Sequence, residues 1–205
     1  MKHNRLLSLL GYGSLLVLLI LELALRYDTW VRQIALSITN ISTIIALVIL
    51  SRYLRNRSAM LPWTVIWFSA LGVWFDGMGN FVQYYATVPW WDKLAHAVGS
   101  GALAAGIFVL VELFQWRGTI LLGKKLRVVF IVSITTTLSV IYEISEYIGD
   151  SVYPTNRVTS LFDTADDLLW DFVAALVVVL CAMWIARKKE PTGSLAIPSG
   201  KEQAG

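Results

Sequence analysis

Charged residues are scarce in this chain of 205 residues: they make up 15% of it, against about a quarter in an average soluble domain. Hydrophobic residues make up 57% of the chain, and its mean hydropathy is +0.64. The chain contains apolar runs of roughly 20 residues, which are longer than those of soluble domains, so an ordinary soluble protein is excluded. The 12% aromatic content excludes a disordered or collagen-like chain.

Cysteine is nearly absent, and the familiar catalytic motifs are missing. The single residue, Cys181, excludes an internal disulfide framework and a cysteine-rich zinc module. The sequence contains no P-loop, dinucleotide fingerprint, nucleophile elbow or zincin helix. The net charge of +3 is unevenly distributed along the chain, so it indicates membrane orientation and no nucleic-acid partner.

Apolar segments about as long as the hydrocarbon core of a bilayer recur six times. Since backbone groups in lipid must bond to one another and no strand-like alternation occurs, these segments are predicted to be helices. The predicted fold class is all-α: a polytopic membrane bundle of six transmembrane helices within residues 1–189, followed by a disordered cytoplasmic tail, 190–205. The predicted spans are about 6–25, 31–50, 62–84, 92–114, 126–148 and 163–186.

Lysine and arginine fall mostly on one side of these spans. Thirteen of the 17 lie on the side that holds both chain ends, and four lie on the other. The positive-inside rule therefore predicts that the N- and C-termini are cytoplasmic. The first span is predicted to be a retained helix and not a cleaved signal peptide, because no small-residue cleavage pattern follows it.

Carboxylates concentrate at the outer level of the predicted bundle. Glu143 and Glu146 share one face of the fifth span, whereas Asp163, Asp167 and Asp171 form a stripe along the sixth. A carboxylate facing lipid at a helix centre costs roughly 2.5–3.5 kcal/mol. These stripes are therefore predicted to face inward.

Two i,i+4 pairs extend this pattern to the third and fourth spans. Asp92 and His96 form one pair, and Asp76 and Asn80 form the other. Spans three to six are thus predicted to converge on an outward-facing polar pocket. The small residues of the fourth span, Gly99, Ser100, Gly101 and Gly106, are predicted to allow close helix packing.

The predicted pocket has too few cations for its acids. Lys93, His96 and Arg157 do not offset about nine carboxylates, and this deficit predicts a bound divalent metal ion. Oxygen ligands with one imidazole suit Mg²⁺, Mn²⁺ or Ca²⁺ and permit Zn²⁺ or Fe²⁺. The predicted metal ligands are His96, Glu146, Asp167, Asp92 and Asp163; the predicted catalytic residues are Glu143 and Asp171; the predicted substrate-binding residues are Lys93, Arg157, Asp76 and Asn80.

Structural roles stay open for several of these residues. Glu143 and Glu146 could instead form ion pairs with Lys93 or Arg157, and Asp163 could cap the sixth helix. Asp76 and Asn80, with the neighbouring glycines, indicate either a locally broken helix or the outer end of the third span. Glu112 lies too far from His96 to join the cluster and is predicted to pair with Arg117 or Lys124.

Three segments resemble elements of a known family. Trp91–His96, Tyr142–Tyr147 and Asp163–Leu168 resemble the W-[YW]-D-[KR]-x-x-H, Y-E-x-x-E-[WY] and D-T-x-x-D-[LM] elements of a bacterial inner-membrane family typified by YjdF. A more distant likeness is to VanZ-like proteins, which usually carry Gln where this chain has Glu146. The resemblance implies a compact multi-pass protein of the bacterial plasma (inner) membrane and supplies no reaction.

Three functions are compatible with these observations. The leading hypothesis is a metal-dependent membrane hydrolase or transferase, in which a divalent ion activates water against a lipid-linked or cell-envelope substrate. The second is a proton- or cation-coupled transporter, since buried acids are common in such proteins. The third is a non-catalytic membrane scaffold in which the acids form structural ion pairs. Membrane lipid is the expected partner, and the oligomeric state stays open.

Overall fold

The computed structural model describes residues 2–25, 30–56, 60–153, 160 and 162–189. Within these ranges the chain is helical and contains no strand, which confirms the all-α class. The predicted tail, 190–205, and Arg157 lie outside the described residues. The helices are α1 (Lys2–Ala24), α2 (Trp30–Arg55), α3 (Trp63–Phe81), α4 (Tyr84–Thr87), α5 (Trp91–Trp116), α6 (Lys124–Val152) and α7 (Asp163–Lys189).

Five of the described helices are long and apolar enough to cross a membrane, namely α1, α2, α5, α6 and α7. Their outward surfaces carry large apolar side chains such as Ile20, Ile38 and Leu180, each at least half exposed. In water, such a continuous apolar surface would promote aggregation, whereas in a bilayer lipid covers it. The chain is therefore a multi-pass membrane protein.

The third predicted span, 62–84, differs from the structure at its outer end. Helix α3 is continuous from Trp63 to Phe81, so the prediction of a locally broken helix at Asp76 is wrong. The chain turns at Gln83, whose φ of 56° is left-handed, and the four-residue helix α4 follows. The polar residues thus lie in the last turns of an intact α3.

Two apolar clusters hold the bundle together. One joins α1, α2 and α3 around Leu15, Leu18 and Ile66; the other joins α5, α6 and α7 around Ile131 and Val179. Helix α5 links the two halves, because it packs against α3 on one side and against α6 and α7 on the other. Helix α5 is therefore the element from which side chains can reach α3, α6 and α7 together.

Glycine sets the distance between α3 and α5. A Cβ added at Gly72 would lie 3.1 Å from the Cα of Gly99, so a side chain at Gly72 would press against the backbone of α5. Gly101, on another face of α5, is enclosed by Phe68 and Val178. The predicted role of the α5 glycines in close packing therefore holds at this crossing and at Gly101.

A buried polar pair that sequence reasoning did not assign joins α1 to α2. Asn40 Nδ2 donates to Glu22 Oε2 at 3.1 Å and to the Leu15 carbonyl at 3.2 Å. Both side chains are fully buried. Gln33 of α2 also donates to the Glu22 carbonyl, at 2.8 Å. Together with the hydrogen bond between the Tyr12 and Ser51 hydroxyls, 2.8 Å apart, these bonds fix the register of the two helices.

We expect Gly101→Val to destabilise the bundle, because its Cβ would lie 2.9 Å from the Phe68 ring and 3.2 Å from Val178. Overpacking of this kind costs about 1–3 kcal/mol. The measurement is the melting temperature of the purified protein in detergent. Gly13→Val on α1 is the control, since a Cβ there meets nothing within 4 Å. Equal melting temperatures for the two variants would contradict the tight packing.

Candidate functional site

One histidine gathers carboxylates from three helices. His96 and Asp92 lie one turn apart on α5, Glu143 lies on α6, and Asp167 and Asp171 lie on α7. All four carboxylates have an oxygen within 4.0 Å of an imidazole nitrogen of His96. The predicted inward convergence of the acidic stripes of the last three long helices thus holds for these residues.

The two imidazole nitrogens of His96 face different partners. Nε2 lies 4.0 Å from Asp92 Oδ1, 3.7 Å from Glu143 Oε1 and 3.8 Å from Asp167 Oδ2. Nδ1 lies 3.3 Å from Asp171 Oδ1. Three carboxylates therefore surround one nitrogen at distances beyond a hydrogen bond, while a single carboxylate is close enough to accept a hydrogen bond from the other.

Asp171 is itself held in place by a buried hydroxyl. Ser100 Oγ donates to Asp171 Oδ1 at 2.6 Å, and the Ser100 and Ser139 hydroxyls are 3.1 Å apart. All three side chains are buried. A histidine that donates its Nδ1 proton to a fixed carboxylate presents the lone pair of Nε2, which is the usual arrangement of a metal-binding imidazole.

One carboxylate oxygen of Glu143 is buried and has no hydrogen-bond partner among the described residues. Its Oε1 is inaccessible to solvent and makes no hydrogen bond to any described residue, although its carboxylate also hydrogen-bonds to the Thr164 side chain. Only 4% of Glu143 is exposed. Burying a carboxylate oxygen without compensation is costly. This oxygen, which points toward His96 Nε2, therefore calls for a cation or a proton between them.

The spacing around Nε2 leaves room for an ion. One ligand atom from each of Asp92, His96 and Asp167 lies within 4.8 Å of the others. Ligands on opposite sides of an ion with bonds of about 2.0–2.6 Å are separated by about 4–5 Å. The donors are mostly oxygen with one imidazole, a set that suits the hard divalent cations and permits Zn²⁺ or Fe²⁺.

Two predicted metal ligands lie outside this group of described residues. Glu146 is half-buried on α6, about one turn beyond Glu143, and Asp163 is the first residue of α7, one turn before Asp167. Since the Asp166 amide bonds to the Phe162 carbonyl, the cap position of α7 falls on Phe162 and not on Asp163. Both acids are half-buried above the cluster, toward the outer end of the helices.

Lys93 lies at the rim of the site and not within it. Its Nζ is 2.7 Å from Asp166 Oδ2, and both side chains are about half exposed. The alternative pairing of Lys93 with Glu143 or Glu146 is therefore replaced by a pair with Asp166. Glu112 at the far end of α5 forms an ion pair with Arg127, a partner that the sequence did not indicate.

Asp76 and Asn80 form a second polar group beside the histidine cluster. Asp76 Oδ1 accepts hydrogen bonds from the Tyr85 hydroxyl at 3.0 Å and from Asn80 Nδ2 at 3.3 Å. Burial and the nearby Asp76 raise the pKa of the Tyr85 hydroxyl well above its usual range, so that it stays a donor. A side chain at Gly79 would overlap the Tyr85 ring, which explains a glycine there.

Three polar residues near the site were missed by sequence reasoning: Ser100, Ser139 and Tyr85. Two of them had a signal, because Ser100 is four residues after His96 and Ser139 four residues before Glu143. Residues four apart share a helix face, so these hydroxyls had to lie beside the cluster. Tyr85 had none, since its position depends on the turn at Gln83.

The polar groups of α3, α5, α6 and α7 meet at one end of a large cavity. The cavity has a volume of about 690 Å³, and Asp76, His96, Ser100, Ser139 and Asp171 line it. The fold and this site define a class: a multi-pass helical membrane protein with a buried cluster of carboxylates around one histidine.

The comparison with known families gives this class a more specific assignment. The family described as "Predicted membrane protein (DUF2238)" matches residues 6–188, and the chain belongs to that family. The resemblance to YjdF-like proteins is consistent with this assignment. No curated protein and no solved structure matches the chain.

The Lys93–Asp166 pair is expected to contribute little to stability. Both groups are half exposed, and exposed ion pairs typically contribute about 0–1 kcal/mol. A double-mutant cycle with Lys93→Met and Asp166→Asn should therefore give a coupling below about 1 kcal/mol in thermal or denaturant unfolding. A coupling of several kcal/mol would show that the pair is buried in the membrane-embedded protein.

Proposed function

We propose that the chain is a metal-dependent membrane enzyme whose divalent ion would be held by His96 Nε2, Asp92 and Asp167, with Glu143 beside it. The observation that carries the proposal is the buried Glu143 Oε1, which has no hydrogen-bond partner among the described residues and lies 3.7 Å from the imidazole nitrogen. An ion held beside this oxygen would compensate the charge of all these carboxylates together.

The roles of the individual residues follow from the two nitrogens of His96. Asp171 orients the imidazole through Nδ1 and is itself positioned by Ser100. It thus acts as a positioning residue. Asp92 is the most exposed of the carboxylates around Nε2, with 35% of its side chain accessible. An incoming water or substrate oxygen would therefore reach the ion from the side of Asp92.

The chemistry proposed is activation of water by the ion, with Glu143 as the group that accepts the proton. The substrate would be a lipid-linked or cell-envelope molecule at the outer leaflet of a bacterial inner membrane. This orientation requires that α3 also spans the membrane, in addition to the five long apolar helices, and that both chain ends are cytoplasmic. The excess of lysine and arginine on the side that holds both chain ends, 13 of 17, supports that orientation. Lys93, at the rim, would attract an anionic headgroup.

Metal analysis of the purified protein tests this proposal. We expect one equivalent of a divalent ion in protein prepared without chelator, measured by mass spectrometry of the elements and by titration of the apoprotein with Mn²⁺. Asp167→Asn should abolish binding, because it removes a charged ligand atom. Asp171→Asn should weaken binding about 10–100-fold, since it removes the group that orients the imidazole.

Asp166→Asn is the matched control for these substitutions. Asp166 precedes Asp167 directly but pairs with Lys93 at the rim, so its loss should leave the metal content unchanged. Absence of an ion from the wild-type protein, or equal binding by the Asp166→Asn and Asp167→Asn variants, would overturn the proposal. If Asp167→Asn lowers only the melting temperature, the acids serve as structural ion pairs of a scaffold.

A proton- or cation-coupled transporter is the second candidate. The observation that favours it is the hydrogen-bonded chain Asp171–Ser100–Ser139, which leads from the cluster toward the middle of α6. Further along α6, the Thr135 hydroxyl donates to the carbonyl of Ile131 in its own helix, and the buried Thr136 hydroxyl has no hydrogen-bond partner among the described residues, so neither continues this chain. The polar path therefore ends within the described part of the bundle.

Flux measurements in proteoliposomes distinguish the two candidates. We expect no proton or divalent-cation flux above that of empty vesicles, because the hydrogen-bonded chain does not continue to the other side. The readouts are an enclosed pH-sensitive dye and an enclosed metal-sensitive dye. A flux that is present in the wild-type protein and lost in Asp171→Asn would reverse the ranking of the two functions.

A further inference from the structure

The cavity beside the histidine cluster is elongated along the helices. On α5 its lining extends from Ala95 to Leu110, and on α2 from Thr39 to Tyr53. Fifteen residues of helix rise about 22 Å. The cavity is therefore longer than the depth of one leaflet, which is about half of the roughly 30 Å hydrocarbon core.

Charged groups occupy one end of the cavity, and the remainder is largely apolar. Asp76, His96 and Asp171 lie at the polar end, whereas leucine, isoleucine and valine are the commonest side chains in the rest, which also includes Tyr53 and Ser69. Two threonines, Thr39 and Thr43, also line the wall on α2. Their hydroxyls donate to carbonyls of their own helix at 3.1 and 2.9 Å, so they do not make that wall strongly polar.

Glycines on α5 keep the cavity open. Gly99 and Gly106 both line it, and a Cβ added at either position would meet nothing within 4 Å. The prediction that Gly106 allows close helix packing is therefore wrong: its missing side chain faces space and not a neighbouring helix. Gly101 on the same helix shows the contrast, because Phe68 and Val178 enclose it.

The cavity opens sideways into the membrane. Its floor is formed by buried side chains such as Val65, Val73 and Ala102, of which 5–7% is exposed. Its edges are exposed: 61% of Ile49 on α2 and 41% of Leu138 on α6 are accessible. Among the described residues α2 packs against α1 and α3, and α6 packs against α5 and α7, so a gap separates these two edges.

We propose that this cavity holds one hydrocarbon chain of a membrane lipid, with the polar head of that lipid at the His96 cluster. Water does not fill an apolar space of this kind, and an empty one forfeits dispersion contacts along its whole lining. Hydrocarbon is what the bilayer supplies at the opening. This inference names a lipid as the substrate class of the proposed enzyme. For the chemistry at the lipid headgroup it rests on the proposed function.

A lipid with a photoreactive chain tests the proposal. The probe is phosphatidylglycerol with a diazirine near the middle of one acyl chain, mixed into phosphatidylethanolamine–phosphatidylglycerol liposomes that contain the protein. After irradiation, mass spectrometry of peptides locates the label. We expect label on the buried floor, at Val65, Val73 or Ala102, in addition to lipid-facing positions such as Leu169 and Leu180. Label on the lipid-facing positions without label on the floor would overturn the proposal.

Two substitutions place a larger side chain in the open space of the cavity. Gly106→Leu and Gly99→Leu should each lower floor labelling several-fold while labelling at Leu180 stays unchanged. Gly13→Leu on α1 is the matched control, because its added side chain also meets open space but lies outside the cavity. If either cavity variant is folded and its floor labelling equals that of Gly13→Leu, the proposal is wrong.

The outcome is distinguishable from that of the metal experiment. Asp167→Asn should lose the ion and keep the floor label, since the cavity does not depend on the ion. A labelled floor in a wild-type protein without metal would overturn the metal site and leave the lipid cavity in place. A wild-type protein with bound metal and an unlabelled floor would overturn the lipid cavity alone.

Discussion

The cost of placing ionised groups in hydrocarbon is the constraint on which this structure depends. Four carboxylates and a histidine lie in helices whose outer surfaces face lipid, and each charge facing that lipid would cost several kcal/mol. The bundle avoids this cost by turning the polar faces of α5, α6 and α7 toward one another, where Glu143, Asp167 and Asp171 are almost fully buried. In that arrangement the carboxylates no longer face lipid, but they repel one another. The single positive charge that His96 can carry does not offset this repulsion. The cluster therefore needs a further positive charge, either bound protons or a cation.

The two nitrogens of the His96 imidazole give the surrounding carboxylates different roles. Asp171 and Asp92 are both acids near the same histidine, yet Asp171 lies beside Nδ1 and is fixed by Ser100, whereas Asp92 lies beside Nε2 and is partly accessible. Asp171 can therefore accept a hydrogen bond from the ring and hold it in place, whereas Asp92 can bind a ligand that arrives from outside. From the sequence spacing alone, Asp171 was predicted to be a catalytic residue and Asp92 a metal ligand. The difference arises because α7 crosses α5 so that Asp171 lies deeper than Asp167, next to the second nitrogen.

Hydropathy and helical periodicity predicted much of this fold and part of the site. The apolar runs gave the long helices to within a few residues, and the i,i+4 relations correctly paired Asp92 with His96 and Asp76 with Asn80 as neighbours. Periodicity along one helix says nothing about distances between helices, however. Those distances depend on contacts such as Gly72 against Gly99, and they place Glu143 against His96 but leave Glu146 and Asp163 outside the group with mutual spacings suited to a metal. The Glu22–Asn40 pair was missed for the same reason, since its members lie 18 residues apart on different helices.

The apolar cavity and the polar cluster are best understood together. An ion that crossed the membrane through this cavity would have to leave its polar end and pass side chains such as Leu103, Ile107 and Leu110, which do not replace the hydration of an ion. A hydrocarbon chain in the same space meets the groups that it already meets in the bilayer, and no hydration is lost. The shape that opposes ion transport thus accommodates a lipid, and the polar end of the cavity, with Asp76 on one wall and His96 on the other, lies where the head of that lipid would be. For this reason the cavity favours chemistry on a lipid headgroup over passage of a solute.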